Sequence, residues 1–112
     1  MIQKVSPILP ALNIEETKMF YRGKLNFDIT DQSNHLVVYN SNIEIHFYKT
    51  TDRYLCENTS CFIFVSNIED LYLRLSALDI ILPAGKLVTK QWGYKEFDVL
   101  DNNGNLLRFV EK

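Results

Sequence analysis

The sequence predicts an α+β fold made of two tandem βαβββ units, which form a curved mixed sheet with the helices on one face. Three observations support this prediction. A four-residue motif occurs twice, each copy opens a stretch with helical spacing, and strand-like segments follow each helix. Strands with helices kept to one side are typical of an antiparallel-rich α+β sheet.

The repeated motif is Asn13–Glu16, which returns 54 positions later as Asn67–Asp70. An apolar, strand-like run precedes each copy, Ile8–Leu12 in the first and Phe62–Val65 in the second. Matching segments on both sides of the motif indicate a duplicated structural unit rather than a chance identity.

Two helices are predicted from apolar residues at helical spacing, at about Ile14–Lys24 and Ile68–Leu78. Asn13 suits the N-cap of the first helix, because its side-chain oxygen can accept a backbone N–H of the first turn. In the second copy Ser66 or Asn67 is expected to have the same role.

Three strands are predicted after each helix from alternating apolar and polar residues. They are Phe27–Asp31, His35–Asn40 and Ile43–Tyr48 in the first unit, and Ile80–Leu82, Lys95–Leu100 and Leu106–Glu111 in the second. Asn40–Asn42 and Asp101–Gly104 supply turn residues, since Asn and Gly tolerate positive φ. The polar segment Thr50–Asn58 connects the units, which we place at about residues 4–49 and 59–111 of a single domain.

Composition narrows the range of partners. The chain has 112 residues, 46% of them hydrophobic, and a net charge of −2, which gives no general attraction to nucleic acid or an anionic membrane. No apolar run approaches the roughly 18 residues of a membrane span, and Met1–Pro7 lacks the apolar stretch of an export signal. Cys56 and Cys61 are interpreted as free thiols. We therefore expect a cytoplasmic protein with neither a nucleic-acid nor a membrane partner.

The period of two along the strands assigns side chains to faces. Ile43, Ile45 and Phe47 should pack on the helices, as should Leu107 and Phe109 of the last strand. The opposite face is then expected to carry polar and aromatic side chains, namely Glu44, His46, Tyr48, Ser60, Phe62 and Arg108. Such a face can bind a ligand, remain solvated, or be buried in a dimer.

Two stretches of the chain resemble a known family. Phe20-Tyr21 followed by Leu25-Asn26-Phe27 resembles the opening of vicinal-oxygen-chelate domains, with Asn26 in place of the usual Gly. The segment Trp92–Asn105 resembles the ending of the bleomycin-resistance proteins within that superfamily, which also includes glyoxalase I and dioxygenases.

The resemblance implies where a metal would lie. The four metal positions of the metal-dependent members fall on Ser6, His46, Ser60 and Arg108. Only His46 is a good ligand for a divalent ion, and Arg108 is a permanent cation. The resemblance therefore implies a protein without metal or other cofactor.

The function implied is sequestration of a small, partly aromatic molecule, such as a glycopeptide antibiotic of the bleomycin type, in a groove formed by a homodimer. In related resistance proteins the N-terminal segment, here around Pro7 and Pro10, is exchanged between chains. The ligand-binding candidates are Trp92, His46, Arg108, Tyr48, Phe62, Ser60, Glu44 and Tyr94. The alternatives are a metal-dependent enzyme of the glyoxalase or thiol-transferase type and a dimeric interaction module without a ligand.

Several candidates have two interpretations. Trp92 can stack on a flat ligand or anchor the core or a dimer contact. Arg108 can hold a ligand carboxylate or phosphate, or pair with Glu44 or Asp98. His46 can contact a ligand or have a structural role, whereas His35 is expected to be solvated. No nucleophile with a base beside it and no phosphate-binding glycine loop is present, so no catalytic residue is assigned.

Overall fold

The computed structural model describes residues 1–112, which form three α-helices and two four-stranded sheets. In chain order the elements are β1 (Ile8–Ala11), α1 (Ile14–Gly23), β2 (Asp28–Gln32), β3 (His35–Asn40), β4 (Ile43–Lys49), α2 (Arg53–Glu57), β5 (Ser60–Phe64), α3 (Ile68–Ser76), β6 (Val88–Thr89), β7 (Lys95–Leu100) and β8 (Leu106–Glu111), with a 3-10 turn at Pro83–Gly85. None of the helices has the length and apolar character required to cross a membrane.

The two sheets repeat one topology. Their strand orders are β1-β4-β3-β2 and β5-β8-β7-β6. In each sheet the first strand runs parallel to the last, and the other neighbours are antiparallel. The predicted fold class and its duplication are confirmed. β1 is an edge strand that pairs with β4 of the same chain, and an edge tolerates Pro10, which has no N–H to donate.

The hydrophobic core lies between the helices and the inward faces of the sheets. Tyr21 of α1 is completely buried, and its ring meets Phe20, Phe27 and Phe47 edge-on at centroid distances of 5.3, 5.9 and 5.0 Å. Leu107 and Phe109 are buried in the same core, as predicted. Ile43 was also predicted to pack there, but it is the first residue of β4 and is 41% exposed.

Asn26 shows how this chain departs from the family pattern without losing the turn. Its φ is +60°, in the left-handed region that favours glycine and that Asn tolerates better than other residues. Leu25 and Phe27 on either side are buried. The residue that replaces the usual Gly therefore keeps the chain reversal that sends both neighbours into the core.

The two helices begin differently although they share a motif. The Asn13 side chain accepts a hydrogen bond from the Glu16 backbone N–H at 2.9 Å, as predicted. Asn67 makes no such bond, because its φ of +54° turns it away from the cap geometry. The expected cap of the second helix is therefore wrong. The Glu111 carboxylate of β8 instead accepts the Ile68 N–H at 2.7 Å.

Two segments between the predicted elements differ from expectation. Thr50–Asn58 contains the short helix α2, capped by the Asp52 side chain, which accepts the Tyr54 N–H at 3.0 Å. The predicted strand Ile80–Leu82 is wrong: only Ile81 forms a single bridge, to Val99, before the chain turns at Pro83. The strand that pairs with β7 is the two-residue β6, which is too short to leave an alternating pattern.

A buried polar cluster joins the two units. Asp101, in the predicted turn before β8, accepts hydrogen bonds from the Tyr21 hydroxyl at 2.7 Å and the Asn105 amide at 2.9 Å. Asn105 also donates to the Pro10 carbonyl, and Asn103 accepts the Leu12 N–H, both at 2.9 Å. The turn before β8 is thereby hydrogen-bonded to both β1 and α1, the first two elements of the first unit.

Candidate functional site

Polar residues of the first unit lie on its open face, by which we mean the side of each sheet turned away from the helices. Here the Glu44 carboxylate accepts a hydrogen bond from His46 Nε2 at 2.7 Å, and Lys4 Nζ lies 3.1 Å from the same carboxylate. His46 Nδ1 faces His35 Nε2 at 2.8 Å. The prediction that His35 is simply solvated is wrong, because it continues a chain that runs Glu44–His46–His35.

The hydrogen bonds favour one tautomer of His46. An ionised carboxylate only accepts, so His46 must donate from Nε2, and its Nδ1 is left to accept from His35 when the ring is neutral. The hydrogen bond from His46, together with Lys4, lowers the pKa of Glu44 below its usual value. Tyr48, the third residue of β4 on this face, is 38% exposed.

Arg108 lies on the open face of the second unit. The sequence suggested Glu44 or Asp98 as its partner, but it pairs with neither. It binds Glu96 of β7 through two hydrogen bonds, from Nε to Oε2 at 2.7 Å and from Nη2 to Oε1 at 3.2 Å. Its Cζ also lies 4.4 Å from the ring centroid of Phe62. Glu96 projects from the same side of β7 as Asp98, and it reaches Arg108 from two residue pairs further along the ladder.

The two acidic groups beside Arg108 differ in their ionisation. Burial by itself would raise the pKa of Glu96, but the hydrogen bonds from Arg108 outweigh it and hold that pKa below its usual value. Burial raises the pKa of Asp98 to about 6, and the neighbouring Glu96 carboxylate adds to the rise. Oδ1 of Asp98 is buried without a hydrogen-bond partner. The pair is therefore arranged to keep one negative charge opposite the guanidinium, while the second carboxyl holds its proton more readily.

An aromatic surface borders this cluster. Phe62 and Phe64 on β5 are 53% and 55% exposed, and their rings stack at 6.1 Å with 25° between planes. Both line an open cavity of ≈ 280 Å³ between β5, the start of β4 and the N-terminal segment. Glu44 lines the same cavity, so this space brings together the open-face residues of the two units. Ser60, at the start of β5, is exposed on the same side.

Trp92 and Tyr94 lie on the turn between β6 and β7 and just after it. Trp92 is 60% exposed, in a turn closed by a hydrogen bond from the Gly93 N–H to the Lys90 carbonyl at 2.9 Å. Tyr94 is half-buried, with the Lys112 ammonium 6.0 Å from its ring centroid. Neither side chain lines the cavity beside Phe62.

The four family metal positions do not form a metal-binding set. Ser6 Oγ lies 3.5 Å from Glu44, which places it with His46 on the first unit, whereas Ser60 and Arg108 belong to the second. Arg108 is a cation already paired with Glu96, and two serine hydroxyls are weak donors for a divalent ion. No three His, Cys, Asp or Glu side chains gather so as to hold a metal ion. The residues present do not fit the family's metal.

Glu96, His35, Lys4 and Phe64 take part in these clusters but were not among the ligand-binding candidates chosen from the sequence. Strand alternation could have found Glu96, since Phe97 and Val99 face the core and so turn Glu96 and Asp98 to the open face. The contacts of His35 and Lys4 depend on strand pairing and on the path of the N-terminal segment, which the sequence pattern leaves open.

Comparison with known proteins gives a consistent result. No family model matches the chain. Bleomycin resistance proteins from Geobacillus stearothermophilus and Staphylococcus aureus are 26% identical to it, over 100% of this chain and 98% of their own length. Among solved structures, a bleomycin resistance determinant encoded on the transposon Tn5 aligns with a TM-score of 0.86 at 19% identity, covering 99% of this chain and 98% of that one.

Two further structures extend the comparison. The bleomycin-binding protein of Streptomyces verticillus, complexed with copper(II)-bleomycin, has a TM-score of 0.84 at 21% identity, over 100% of this chain and 99% of that one. A protein assigned to the glyoxalase family from Bacillus anthracis has a TM-score of 0.81 at 18% identity, over 100% and 97% of the two chains. The duplicated βαβββ fold and these similarities support a place for the chain in the vicinal-oxygen-chelate superfamily, close to the bleomycin resistance proteins.

Proposed function

We propose that this protein binds a small, partly aromatic molecule of the bleomycin type, without a metal ion of its own, on the open faces of its two sheets. The observation that carries the proposal is the exposed, stacked pair Phe62 and Phe64 beside a cavity of ≈ 280 Å³. Aromatic side chains in a concave site with a few polar groups are typical of small-molecule binding. The match to bleomycin resistance proteins over the whole chain supports the ligand class.

The side chains proposed to contact the ligand fall into two groups. The aromatic group is Trp92, Tyr48, Phe62 and Tyr94, and the polar group is His46, Glu44, Ser60 and Arg108. The aromatic rings supply stacking area, while the polar groups fix the orientation of the ligand through hydrogen bonds.

We also propose that two chains form the groove. Phe62 and Phe64 are more than half exposed in the single chain, as is Val5, which lines the same cavity and is 86% exposed. Ile8 at the start of β1 is 60% exposed. A second copy would cover part of this surface and leave the rest to the ligand. The interface should exceed about 1,000 Å² in total, the usual lower limit for a specific complex. Exchange of the segment around Pro7 and Pro10 between the chains stays a prediction.

The direct test of the ligand is calorimetric titration of the purified protein with bleomycin, metal-free and copper(II)-loaded in separate experiments. Binding with a dissociation constant in the micromolar range or tighter, accompanied by a higher melting temperature, is the expected result. The titration should be repeated at two salt concentrations, since an adventitious charge interaction weakens strongly with salt. Absence of heat and of thermal stabilisation in both forms would contradict the proposed ligand class.

Sedimentation equilibrium tests the dimer. A two-chain mass at micromolar concentration is expected, and a monomer would remove the two-chain groove. A dimer that binds no ligand would favour an interaction module whose partner chain fills the open face. The two measurements together therefore separate a binding protein from a module of that kind.

The chain of Glu44, His46 and His35 favours one further candidate, an enzyme of the glyoxalase or thiol-transferase type. A carboxylate that orients an imidazole is a common arrangement for moving a proton. Elemental analysis is expected to find no stoichiometric metal, and chelator should leave the melting temperature unchanged. One nickel, zinc, iron or manganese ion per chain, with turnover of methylglyoxal and glutathione, would favour the enzyme instead.

A further inference from the structure

The Arg108 guanidinium is engaged on two sides in the free protein. One edge donates two hydrogen bonds to the Glu96 carboxylate, at 2.7 and 3.2 Å. One face lies against Phe62, with Cζ 4.4 Å from the ring centroid. That edge, formed by Nε and Nη2, is one of the two through which a guanidinium can bind a carboxylate or phosphate with paired hydrogen bonds, and the Glu96 charge also offsets that of Arg108. Arg108 is therefore a weaker partner for a negatively charged ligand group than an unpaired guanidinium would be.

Glu96 is buried, whereas Arg108 is partly exposed. The Glu96 side chain is 2% exposed and that of Arg108 29%. A buried carboxylate that loses its partner is strongly destabilising, because its charge remains out of water without compensation. Arg108 consequently cannot turn toward a ligand without leaving Glu96 unpaired, which fixes the guanidinium where it stacks on Phe62.

The register of the strands makes this arrangement rigid. Phe62 of β5 and Arg108 of β8 are paired residues in a parallel ladder, and Arg108 is also paired with Asp98 of β7. The three strands therefore support the ring, the guanidinium and the carboxylate from one sheet. With Arg108 against one side of Phe62, the ring is still 53% exposed and lines the cavity.

We infer that Glu96 is a positioning residue of the proposed binding site: through Arg108 it holds the Phe62 ring ready for a planar ligand, and it weakens the attraction of the guanidinium for anions. The inference rests on the proposed function for its setting. It specifies the ligand class further, as planar molecules that carry no negative charge where they meet Phe62. Glu96 itself does not touch the ligand.

Two fluorescent probes that differ only by one anionic group test this selectivity: neutral N-phenyl-1-naphthylamine and its sulfonate, 8-anilinonaphthalene-1-sulfonate. The unmodified protein should bind the neutral probe at least as tightly as the sulfonate. Glu96→Gln releases Arg108, so we expect affinity for the sulfonate to rise about tenfold while affinity for the neutral probe falls several-fold, in line with the loss of a stacked cation. Phe62→Leu should weaken the binding of both probes, which would show that they bind at Phe62.

The matched control is Glu69→Gln, which removes an exposed carboxylate that pairs with Lys95 on the surface and should change neither affinity. Arg108→Lys serves if Glu96→Gln does not fold, since it keeps a charge for Glu96 but cannot stack flat on the ring. Arg108→Lys should lower the affinity for the neutral probe and leave the affinity for the sulfonate unchanged. A purely structural role of Glu96 would move both affinities in the same direction.

The outcomes separate this inference from the proposed function. Opposite shifts of the two probes without any binding of bleomycin would leave Glu96 as a positioning residue and reject the ligand class. Bleomycin binding with both probes unaffected by Glu96→Gln, or no binding of either probe to the unmodified protein, would overturn the inference.

Discussion

The equivalent hairpin turns of the two units differ in what they do for the molecule. In the first unit Asn40, Ser41 and Asn42 join β3 to β4, and all three are exposed. In the second unit Asp101 and Asn105 lie in the turn between β7 and β8, and they are 6% and 0% exposed. The first turn only reverses the chain, whereas the second binds β1 and α1 of the other unit. In a duplicated fold, one of two equivalent turns can thus join the two units while the other makes no contact of that kind.

The largest effect should come from Asp101→Ala. Its carboxylate accepts the Tyr21 hydroxyl, the Asn105 amide and three backbone N–H groups of its own turn, and all of these would lose their partner. We expect the free energy of unfolding, measured with urea, to fall by about 3 kcal/mol or more, since each buried unsatisfied group costs roughly 1–3 kcal/mol. Asn40→Ala in the other turn is the control and should change it by less than about 0.5 kcal/mol. Equal effects of the two substitutions would remove the contrast between the turns.

The turns that precede β3 and β7 provide a second comparison. The first is the short Ser33-Asn34 turn, with both residues at positive φ, and the second carries Trp92, which is 60% exposed. Trp92→Ala should weaken bleomycin binding by roughly 1–3 kcal/mol, the range for stacked aromatic contacts, and leave the melting temperature nearly unchanged. Tyr54→Ala, at another exposed aromatic residue, should change neither the affinity nor the melting temperature. A large loss of stability with unchanged affinity would identify Trp92 as a structural anchor.

The two helix starts should respond differently to loss of the repeated Asn. Asn13→Ala removes an N-cap hydrogen bond and should lower the free energy of unfolding by about 1 kcal/mol. Asn67→Gly should leave it unchanged or raise it slightly, because Gly adopts the positive φ of that position at no steric cost. Urea unfolding of both variants checks this. A loss on Asn67→Gly as large as that on Asn13→Ala would mean that Asn67 caps its helix after all.

The smallest effect concerns the carboxyls of the two open faces, which should have opposite pH dependence. The pKa of Asp98 is about 6 in the folded protein and about 4 in an unfolded chain, so between these values the folded protein holds more protons. Its contribution to stability is therefore complete below about pH 4 and is lost as the pH rises through about 6. Glu44 has a lowered pKa, so its contribution is present above its ordinary pKa and is lost as the pH falls.

Urea unfolding between pH 3 and 7 measures both contributions. Asp98→Asn should remove a decline in stability toward pH 6, and Glu44→Gln should remove a decline toward acid. The difference from the unmodified protein isolates each group. Curves displaced in parallel at all pH values would show that neither carboxyl has a shifted pKa.

The candidate site was only partly visible in the sequence. Alternation along β4 and β8 correctly placed His46 and Arg108 on the side away from the helices, because neighbouring strand residues point to opposite faces. It left the partners open: Arg108 pairs with Glu96 rather than with Glu44 or Asp98, the two candidates weighed from the sequence. Glu96 reaches Arg108 across a strand pair, and side-chain length and burial decide that contact.

Local sequence patterns predicted the duplicated fold, the helices α1 and α3, and seven of the eight strands to within a few residues, because hydrophobic periodicity and turn residues act locally. Only the tertiary structure shows where equivalent residues of the two units make different contacts. Glu111, not Asn67, accepts the first backbone N–H of α3, and the apolar segment Ile80–Leu82 forms a single bridge rather than a strand. Asp101 binds Tyr21 of the other unit. Each of these outcomes depends on groups that lie far apart in the chain and meet only when the two units pack, so no local pattern records them.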